Sequence, residues 1–397
     1  MRRELFAWVL GMLSVALMWA DAPQVQARAA VLIDAETGQT LYARRAHQQL
    51  PPASLTKIMT AILVLEACDL DDTVQASKRA VNTQPSSMNL RVGEQVKVRD
   101  LLYALMLRSA NDAAVALAEH VAGSVEAFAQ QMNQKARELG AKRTHFVNPH
   151  GLHHPKHRST AYDLALITRY AMQNETFRAI VKTPHYIVER SINQDDLWMV
   201  NKAKFLKEYP YAEGVKTGYT KPAGFCFAGA ATREGRRQIT VVLNSPQREA
   251  DTIALMEHGF NDWERIELTP DAVVGSVRVE GGVAEQASVR LAKPLVWLTR
   301  KSERTRDEWV VQAQPLNAPV QAGDAAGWLV VYRDGKPYKK AQVVVAQAVA
   351  REPTRTLPIG GALTTGLILG LVSWRLRSRR QQQRVRLMRR PIGEWHP

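Results

Sequence analysis

The sequence has 397 residues, of which 46% are hydrophobic and 23% are charged, with 23 glycines and 19 prolines. This composition is typical of globular proteins and excludes collagen-like, low-complexity and intrinsically disordered chains. The net charge is +15, but the eight arginines and one glutamate of residues 375–397 supply +7 of it and leave a moderate +8. Because the excess charge lies at one end of the chain, we predict no nucleic-acid partner.

The chain has only two cysteines, Cys68 and Cys226. Two are too few for a disulfide-dense scaffold or a cysteine-based structural zinc site. Cys226 lies in the apolar run 224–228, which favours a small buried thiol over a disulfide. At about 100–200 residues per domain, the length predicts two domains, or one large domain with attachments.

Residues 1–27 have the layout of a secretory signal peptide. The basic start Met1–Arg3 precedes an apolar run over residues 5–19. Two short segments, 20–22 and 25–27, then offer small residues at cleavage-like spacing. An uncleaved anchor or a buried helix is the alternative interpretation.

The other end of the chain contains a 19-residue stretch without a charge, residues 356–374. A helix of this length covers about 28 Å, close to the ~30 Å hydrocarbon core of a bilayer. The basic segment 375–397 follows directly, and the positive-inside bias predicts that it is a cytoplasmic tail. We therefore expect a secreted protein with one C-terminal transmembrane helix.

Residues 29–267 combine short strands at both ends with helices in the middle. Apolar alternation and helical spacing predict strands over 30–34, 38–42 and 237–243, and helices from Ser54 onward and over 99–122, 125–139 and 163–172. This order indicates an α+β domain, in which one sheet is packed by helices.

The pattern changes over residues 268–350, where long helical periods give way to β-branched alternation with turns. Two apolar runs, 328–332 and 341–345, flank Asp334 and Gly335, a strong hairpin signal. We predict a small all-β domain and assign it no chemistry.

The first chemical signal is the pair Ser54 and Lys57, three residues apart at the start of a predicted helix. This spacing puts both side chains on one face. A serine hydroxyl needs a base to become a nucleophile, and a lysine can be that base only when burial or a nearby positive charge keeps it neutral. In isolation the pattern more often marks a helix-capping serine and a solvated lysine.

Two further motifs follow in the chain. Ser109 and Asn111 are poor mid-helix residues inside an apolar helical pattern, which indicates a loop or a functional reason. Lys216 and Thr217, on an edge strand, can bind a carboxylate, and Gly218 lets a ligand backbone approach closely.

In this order the three motifs resemble the catalytic set of the β-lactamases and penicillin-binding proteins. Further segments are similar to one family, the low-molecular-mass penicillin-binding proteins that are serine-type D-alanyl-D-alanine carboxypeptidases. These segments are 52–60, 90–94, 109–113, 149–152, 159–163 and 214–218. The resemblance covers about residues 29–261. The β domain and the C-terminal apolar segment match the family layout by arrangement alone. The fold that the resemblance implies is an antiparallel sheet packed by helices.

The resemblance assigns roles to the motif residues. Ser54 is the expected nucleophile, which attacks the carbonyl between two D-alanines and forms an acyl-enzyme. Lys57 accepts the Ser54 proton and is kept neutral partly by the charge of Lys216. Ser109 relays a proton to the departing amine, and Asn111 holds Lys57 and the substrate amide in register.

The same resemblance assigns the terminal carboxylate of the substrate to Lys216 and Thr217, assisted by Arg248. The oxyanion hole is expected from the backbone N–H groups of Ser54 and Tyr219. Ala110 departs from the glycine that many relatives have there, and Tyr219 occupies a variable position, so the substrate preference stays open. We identify no acid for activation of the deacylating water.

The function implied is removal of the terminal D-alanine from peptidoglycan pentapeptide stems, with β-lactams as inhibitors and no cofactor. The expected location is the bacterial cell membrane, with the catalytic domain outside the cytoplasm. The alternatives are a D,D-endopeptidase that cleaves cross-links, a β-lactamase, and a non-catalytic peptidoglycan-binding scaffold. A β-lactamase would need a glutamate that activates the deacylating water, and we can place none near Ser54.

A cluster of four histidines, at positions 150, 153, 154 and 157, suggests a metal site. No carboxylate falls at metal-ligand spacing inside the cluster, and His150 and His157 also fit the family loop. We therefore predict no metal here and expect a flexible, solvated histidine loop.

Overall fold

The computed structural model describes residues 22–302 and 307–353. The predicted membrane segment, the basic tail and most of the predicted signal peptide lie outside these ranges. In the described part of the chain, no helix combines the length and the apolar character needed to cross a bilayer. The chain divides into two compact units between Trp263 and Glu264.

The strands of the first unit are numbered in chain order. They are β1 (Ala29–Asp34), β2 (Thr40–Arg44), β3 (Thr73–Gln75), β4 (Gln95–Lys97), β5 (His185–Ile187), β6 (Trp198–Val200), β7 (Ala212–Thr220), β8 (Gly224–Arg233) and β9 (Arg236–Leu243). Its helices are α1 (Lys57–Ala67), α2 (Lys78–Val81), α3 (Val98–Tyr103), α4 (Asn111–Ala122), α5 (Val125–Glu138), α6 (Ala161–Ala171), α7 (Glu175–Lys182), α8 (Phe205–Glu208) and α9 (Arg248–Asp262). A 3₁₀ turn (Ala53–Thr56) precedes α1, and a π-helical segment (Ala104–Arg108) follows α3.

Five strands form an antiparallel sheet in the order β2-β1-β9-β8-β7, so that β7 is an edge strand. Val31 and Ile33 of β1 belong to the core formed with helices α1 and α4 to α7. The alternating residues Ala30 and Leu32 are also fully buried, and they point to the opposite face. Helix α9 packs on β8 and β9 with Leu255 and Met256 buried outside that core. The predicted arrangement of one sheet packed by helices is confirmed.

The prediction of one helix over residues 99–122 is wrong. The helical chain stops at Ser109, which has a left-handed φ of 70°, and resumes as α4 at Asn111. Apolar periodicity continues across the break because the helical segments on either side pack against the same core. Leu105, Leu107 and Ala113 all belong to that core. The polar pair at 109 and 111 was therefore the accurate signal of the interruption.

The second unit is all β. Its strands are β10 (Trp263–Leu268), β11 (Val273–Glu280), β12 (Gln286–Leu291), β13 (Leu295–Arg300), β14 (Asp307–Gln312), β15 (Leu316–Asn317), β16 (Ala325–Arg333) and β17 (Lys336–Val345). Six of them form a sheet in the order β14-β16-β17-β12-β11-β15, and β10 pairs with β13. The hairpin predicted at Asp334 and Gly335 joins β16 to β17, and both turn residues have the positive φ that such a turn requires.

The chain just before β1 is tightly bound to the first unit. Val25 and Ala27 are buried, and the carboxylate of Asp251 in α9 accepts the backbone N–H groups of Gln26 and Ala27 at 3.0 and 2.8 Å. Ser245 donates its hydroxyl to the same carboxylate at 2.6 Å. These contacts make residues 25–27 part of the folded unit.

We expect Asp307→Ala to lower the free energy of unfolding of the β unit by about 3 kcal/mol or more. Asp307 is buried and accepts the Trp297 indole N–H at 2.9 Å and two N–H groups of Arg333, each at 2.7 Å. Removing the carboxylate leaves these donors without their acceptor. Denaturant unfolding followed by tryptophan fluorescence measures the change. Glu285→Ala, at an exposed position of the same unit, is the control, and equal effects of both substitutions would contradict this role.

Candidate active site

Ser54 lies in the 3₁₀ turn immediately before α1, and this turn is clamped from two sides. Thr56 donates its hydroxyl to the Ala53 carbonyl at 2.8 Å and contacts His157 Nε2 at 2.8 Å. Because His157 Nδ1 accepts the Val147 N–H at 3.1 Å, Nε2 carries the ring proton and donates to Thr56. Burial lowers the pKa of His157 to about 3, so the imidazole is neutral and this tautomer persists.

Lys57 is the first residue of α1 and is completely buried. Its Nζ lies 3.1 Å from Ser54 Oγ, 2.6 Å from Asn111 Oδ1 and 2.7 Å from the His150 carbonyl oxygen. Burial, followed by the charges of Lys216 and Lys202, holds the Lys57 pKa well below its usual range. When this amine is neutral, its two N–H groups donate to the two carbonyl-type oxygens, and its lone pair faces the Ser54 hydroxyl. A solvated lysine at this position is excluded.

Asn111 is oriented by the loop before β4. Its Nδ2 donates to the Gln84 carbonyl at 2.7 Å, which fixes Oδ1 toward Lys57. The next residue, Asp112, is fully buried and accepts the N–H groups of Met88 and Leu90 at 3.0 and 3.1 Å. Asp112 therefore holds in place the loop that orients Asn111.

Strand β7 forms the opposite wall of the site, as the prediction of an edge strand required. A Cβ on Gly218 would lie 3.2 Å from Ala53 Cβ and 3.2 Å from Ser54 N, so a side chain here would push the strand and the serine turn apart by a few tenths of an ångström. Lys216 is buried, and burial, with the charges of Lys202 and Arg248, lowers its pKa to about 7.

Arg248 and an aromatic pair lie at the open end of this wall. Arg248 Nη1 donates to the Gly218 carbonyl at 3.4 Å, and its guanidinium lies 5.4 Å from the centre of the Phe225 ring. Tyr219 and Phe225 contact each other with ring centres 4.7 Å apart, and both are about half exposed. The pair gives the cleft an apolar surface beside a cationic one.

These elements enclose a cleft of about 370 Å³. Seven of the nine predicted site residues line it, and Lys57 and Lys216 are buried behind it. The lining residues are Ser54, Pro85, Ser86, Ser109, Asn111, Gly151, Leu152, Lys202, Thr217, Gly218, Tyr219, Thr220, Phe225 and Arg248.

The expectation of a flexible, solvated histidine loop is wrong for two of its four members. His150 and His157 are buried, and His150 supplies the backbone carbonyl that binds Lys57. Gly151 follows with φ +89°, and a Cβ there would lie 1.9 Å from the Ala53 carbonyl oxygen. The loop is a wall of the serine site.

Sequence reasoning missed Lys202, Asp112 and the role of the loop around Gly151 as parts of the site. Lys202 lines the cleft, donates to Ser86 Oγ at 3.1 Å and contributes to the lowered pKa of both buried lysines. No local pattern marks it as functional. The segment Pro149–Leu152 resembles the family in sequence, and its packing shows its structural role: it places the His150 carbonyl on Lys57 and Gly151 against Ala53.

A buried amine with a lowered pKa beside a serine hydroxyl, facing a cationic wall that can bind a carboxylate, defines a serine acyl-transfer site. A family model described as D-alanyl-D-alanine carboxypeptidase matches residues 17–247, and one for the C-terminal domain of penicillin-binding protein 5 matches residues 267–351. The chain belongs to this family, the low-molecular-mass penicillin-binding proteins of the serine D-alanyl-D-alanine carboxypeptidase type.

Individual relatives agree with this assignment. The D-alanyl-D-alanine carboxypeptidase DacF of Bacillus subtilis is 33% identical over 81% of this chain and 85% of its own. The crystal structure of penicillin-binding protein 5 from Haemophilus influenzae has a TM-score of 0.71 at 29% identity, covering 83% of this chain and 99% of the other. The Streptomyces K15 DD-transpeptidase structure covers 60% of this chain and 98% of its own, with a TM-score of 0.57 and 37% identity.

We expect Lys216→Met to stabilise the protein while impairing its activity. Lowering the Lys216 pKa from its ordinary 10.5 to about 7 means that burying the charged amine costs the folded state about 5 kcal/mol. The unfolded state binds the extra proton between these two pH values, so the cost is complete below pH 7 and disappears as the pH rises toward 10.5. The stabilisation by methionine should therefore be larger at pH 6 than at pH 9.5.

Thermal and denaturant unfolding at the two pH values measure this difference. Lys221→Met, at an exposed lysine in the turn after β7, is the matched control and should change stability little at either pH. An effect of Lys216→Met that is the same at both pH values would contradict the argument.

Proposed function

We propose that this protein is a D-alanyl-D-alanine carboxypeptidase that removes the terminal D-alanine from peptidoglycan pentapeptide stems through an acyl-enzyme on Ser54. The observation that carries the proposal is the environment of Lys57, whose Nζ contacts Ser54 Oγ, Asn111 Oδ1 and the His150 carbonyl in complete burial. This arrangement supplies the base that a serine nucleophile needs.

Acylation begins with transfer of the Ser54 hydroxyl proton to Lys57 Nζ. Ser54 Oγ attacks the carbonyl carbon of the penultimate D-alanine, and the carbonyl oxygen becomes an oxyanion. The N–H groups of Ser54 and Tyr219 stabilise this oxyanion. The close approach of Gly218 to the backbone at Ser54 supports the pairing of these two donors, because it brings β7 against the serine turn.

The substrate carboxylate binds to the cationic wall formed by Lys216, Thr217 and Arg248. Its negative charge favours the protonated form of Lys216, and the positive charge in turn disfavours a proton on Lys57. Substrate binding thus helps to keep the base neutral before acylation.

Collapse of the tetrahedral intermediate breaks the C–N bond. The proton held by Lys57 passes through Ser109 to the leaving amine, and free D-alanine departs. Water then attacks the Ser54 ester, which releases the shortened peptide with a new carboxylate and restores the serine hydroxyl. Ser109 lines the cleft in its left-handed turn, which supports this relay.

β-Lactams present a reactive amide and a carboxylate in similar positions, so they acylate Ser54 and inhibit the enzyme. No cofactor takes part. The D,D-endopeptidase, β-lactamase and scaffold alternatives, together with transfer of the acyl group to an amine acceptor, are distinguished by the products that the enzyme forms.

The protein acts outside the cytoplasm, anchored in the bacterial cell membrane by residues 356–374 with the tail 375–397 inside. The sequence supports this location through its N-terminal signal pattern and the positive-inside bias. Cleavage upstream of Val25 would leave the contacts of Gln26 and Ala27 with Asp251 intact. The proposed peptidase activity belongs to the first compact unit, which ends at Trp263, and the β unit begins at Glu264.

Ser54→Ala should abolish D-alanine release from a pentapeptide ending in D-Ala-D-Ala and abolish covalent labelling by a fluorescent penicillin. The full chain, purified in detergent, is assayed for free D-alanine and for mass change of the peptide. Ser276→Ala, an exposed serine of the β unit, is the control and should retain full activity. Release that survives Ser54→Ala would disprove the assignment of the nucleophile.

The products separate the alternatives in the same assay. Cleavage of a cross-linked dimer without release from the pentapeptide would favour the endopeptidase. A new peptide bond to an added D-amino acid would favour acyl transfer, and rapid turnover of the penicillin would favour the β-lactamase. Absence of any product and of labelling would favour the scaffold.

Replacing the terminal carboxylate of the pentapeptide by a carboxamide should lower kcat/KM by about 100-fold, because a charge-assisted contact to the cationic wall contributes about 1.5–3 kcal/mol. Arg248→Gln should lower kcat/KM for the carboxylate substrate and have little effect with the carboxamide. Parallel kinetics of both enzymes with both substrates measure this coupling. Equal losses with the two substrates would show that Arg248 does not contact the carboxylate.

A further inference from the structure

We propose that Cys68, Asp72 and His120 form a zinc-binding site at the end of the peptidase domain's helices α1 and α4. One potential ligand atom from each of the three side chains lies within 4.8 Å of the other two. The site lies apart from the acyl-transfer cleft, and none of its residues lines that cleft.

The backbone fixes two of the three residues. Cys68 caps α1 and donates its N–H to Val64 at 3.0 Å. The turn that follows pairs with the start of α3, where Arg99 donates to Leu70 and Val98 donates to Asp72, each at 2.9 Å. The thiol and the carboxylate are thus presented from a turn that is held at both ends.

The remaining ligands are oriented by their own surroundings. One carboxylate oxygen of Asp72 accepts the Asp69 N–H at 3.0 Å, which sets the direction of the carboxylate, as partners outside the coordination shell do in metal sites. His120 lies in the last turn of α4 with an exposed ring, so it can rotate toward a metal ion.

The donor set selects the metal. A thiolate, an imidazole and a carboxylate match zinc, whereas calcium and magnesium require oxygen ligands. In a tetrahedral zinc site the ligand atoms are about 3.3–3.8 Å apart, so the three groups must close by about 1 Å, within the reach of side-chain rotation. Water completes the fourth position, and binding releases the proton of the Cys68 thiol.

The position of the site gives zinc a structural effect. Helices α1 and α4 pack against each other, and their first residues, Lys57 and Asn111, meet at 2.6 Å in the catalytic site. Zinc would join the last turns of the same two helices through Cys68 and His120. Helices α1 and α4 would then be linked at their first residues by the hydrogen bond between Lys57 and Asn111, and at their last turns by the metal ion.

The test uses the full chain, purified in detergent and freed of metal by a chelator. Titration with ZnCl₂ in a calorimeter should show one ion per chain, and the Tm should rise with zinc concentration. Co²⁺ as a spectroscopic probe should give a thiolate-to-metal charge-transfer band. Cys68→Ser should abolish that band, and His120→Asn, at an exposed position, should weaken zinc binding by about 100-fold without affecting the fold.

Two matched variants serve as controls. Cys226→Ala removes the other cysteine and His153→Asn removes an exposed histidine elsewhere, and both should bind zinc like the parent protein. D-alanine release by the Cys68 and His120 variants should be unchanged in the absence of metal, which separates this test from that of the proposed function. Binding below one ion per chain, or a cobalt spectrum that survives Cys68→Ser, would overturn the proposal.

Discussion

The site depends on the burial of one amine. Lys57 can serve as a base only because water is excluded from it, and exclusion of water requires that protein oxygens replace every hydrogen bond the amine loses. The His150 carbonyl and the Asn111 amide supply these bonds, and each arrives from a different part of the chain. The break at Ser109 before α4, the positive φ of Gly151 and the buried carboxylate of Asp112 together bring those two oxygens to one point.

The second buried amine has a different purpose and a different cost. Among the residues that the structure describes, no carboxylate pairs with Lys216, and burial, with the charges of Lys202 and Arg248, lowers its pKa to about 7. In the proposed reaction the carboxylate of the substrate pairs with Lys216, so binding would relieve the desolvation of this amine. Burial of this amine lowers the folding stability of the protein, as strained binding sites often do. The burial of apolar side chains in the large core around the helices offsets this cost.

The sequence was sufficient for the sheet with its helices, the β-hairpin at Asp334 and the three motifs, because each depends on local spacing. The sequence was insufficient where the site depends on a backbone group or on a steric limit. The type of residue 150 does not show that its backbone carbonyl binds Lys57. The need for glycine at position 151 becomes visible only in the structure, where a Cβ would lie 1.9 Å from the Ala53 carbonyl oxygen. The polar pair at 109 and 111 and the apolar periodicity around it pointed in opposite directions, and the polar pair was right. Cys68 and His120, 52 residues apart, offered no pattern at all.

The clamp of Asp251 on residues 26 and 27 bears on how the protein can be engineered. Two backbone N–H groups before β1 bind the Asp251 carboxylate, and Val25 beside them is buried. A fluorescent fusion or affinity tag joined directly to Gln26 would replace this buried valine. A spacer that preserves residues 23–27 keeps the docking intact. Libraries that display this domain on a cell surface should therefore vary the linker upstream of Pro23 and leave the docked segment untouched.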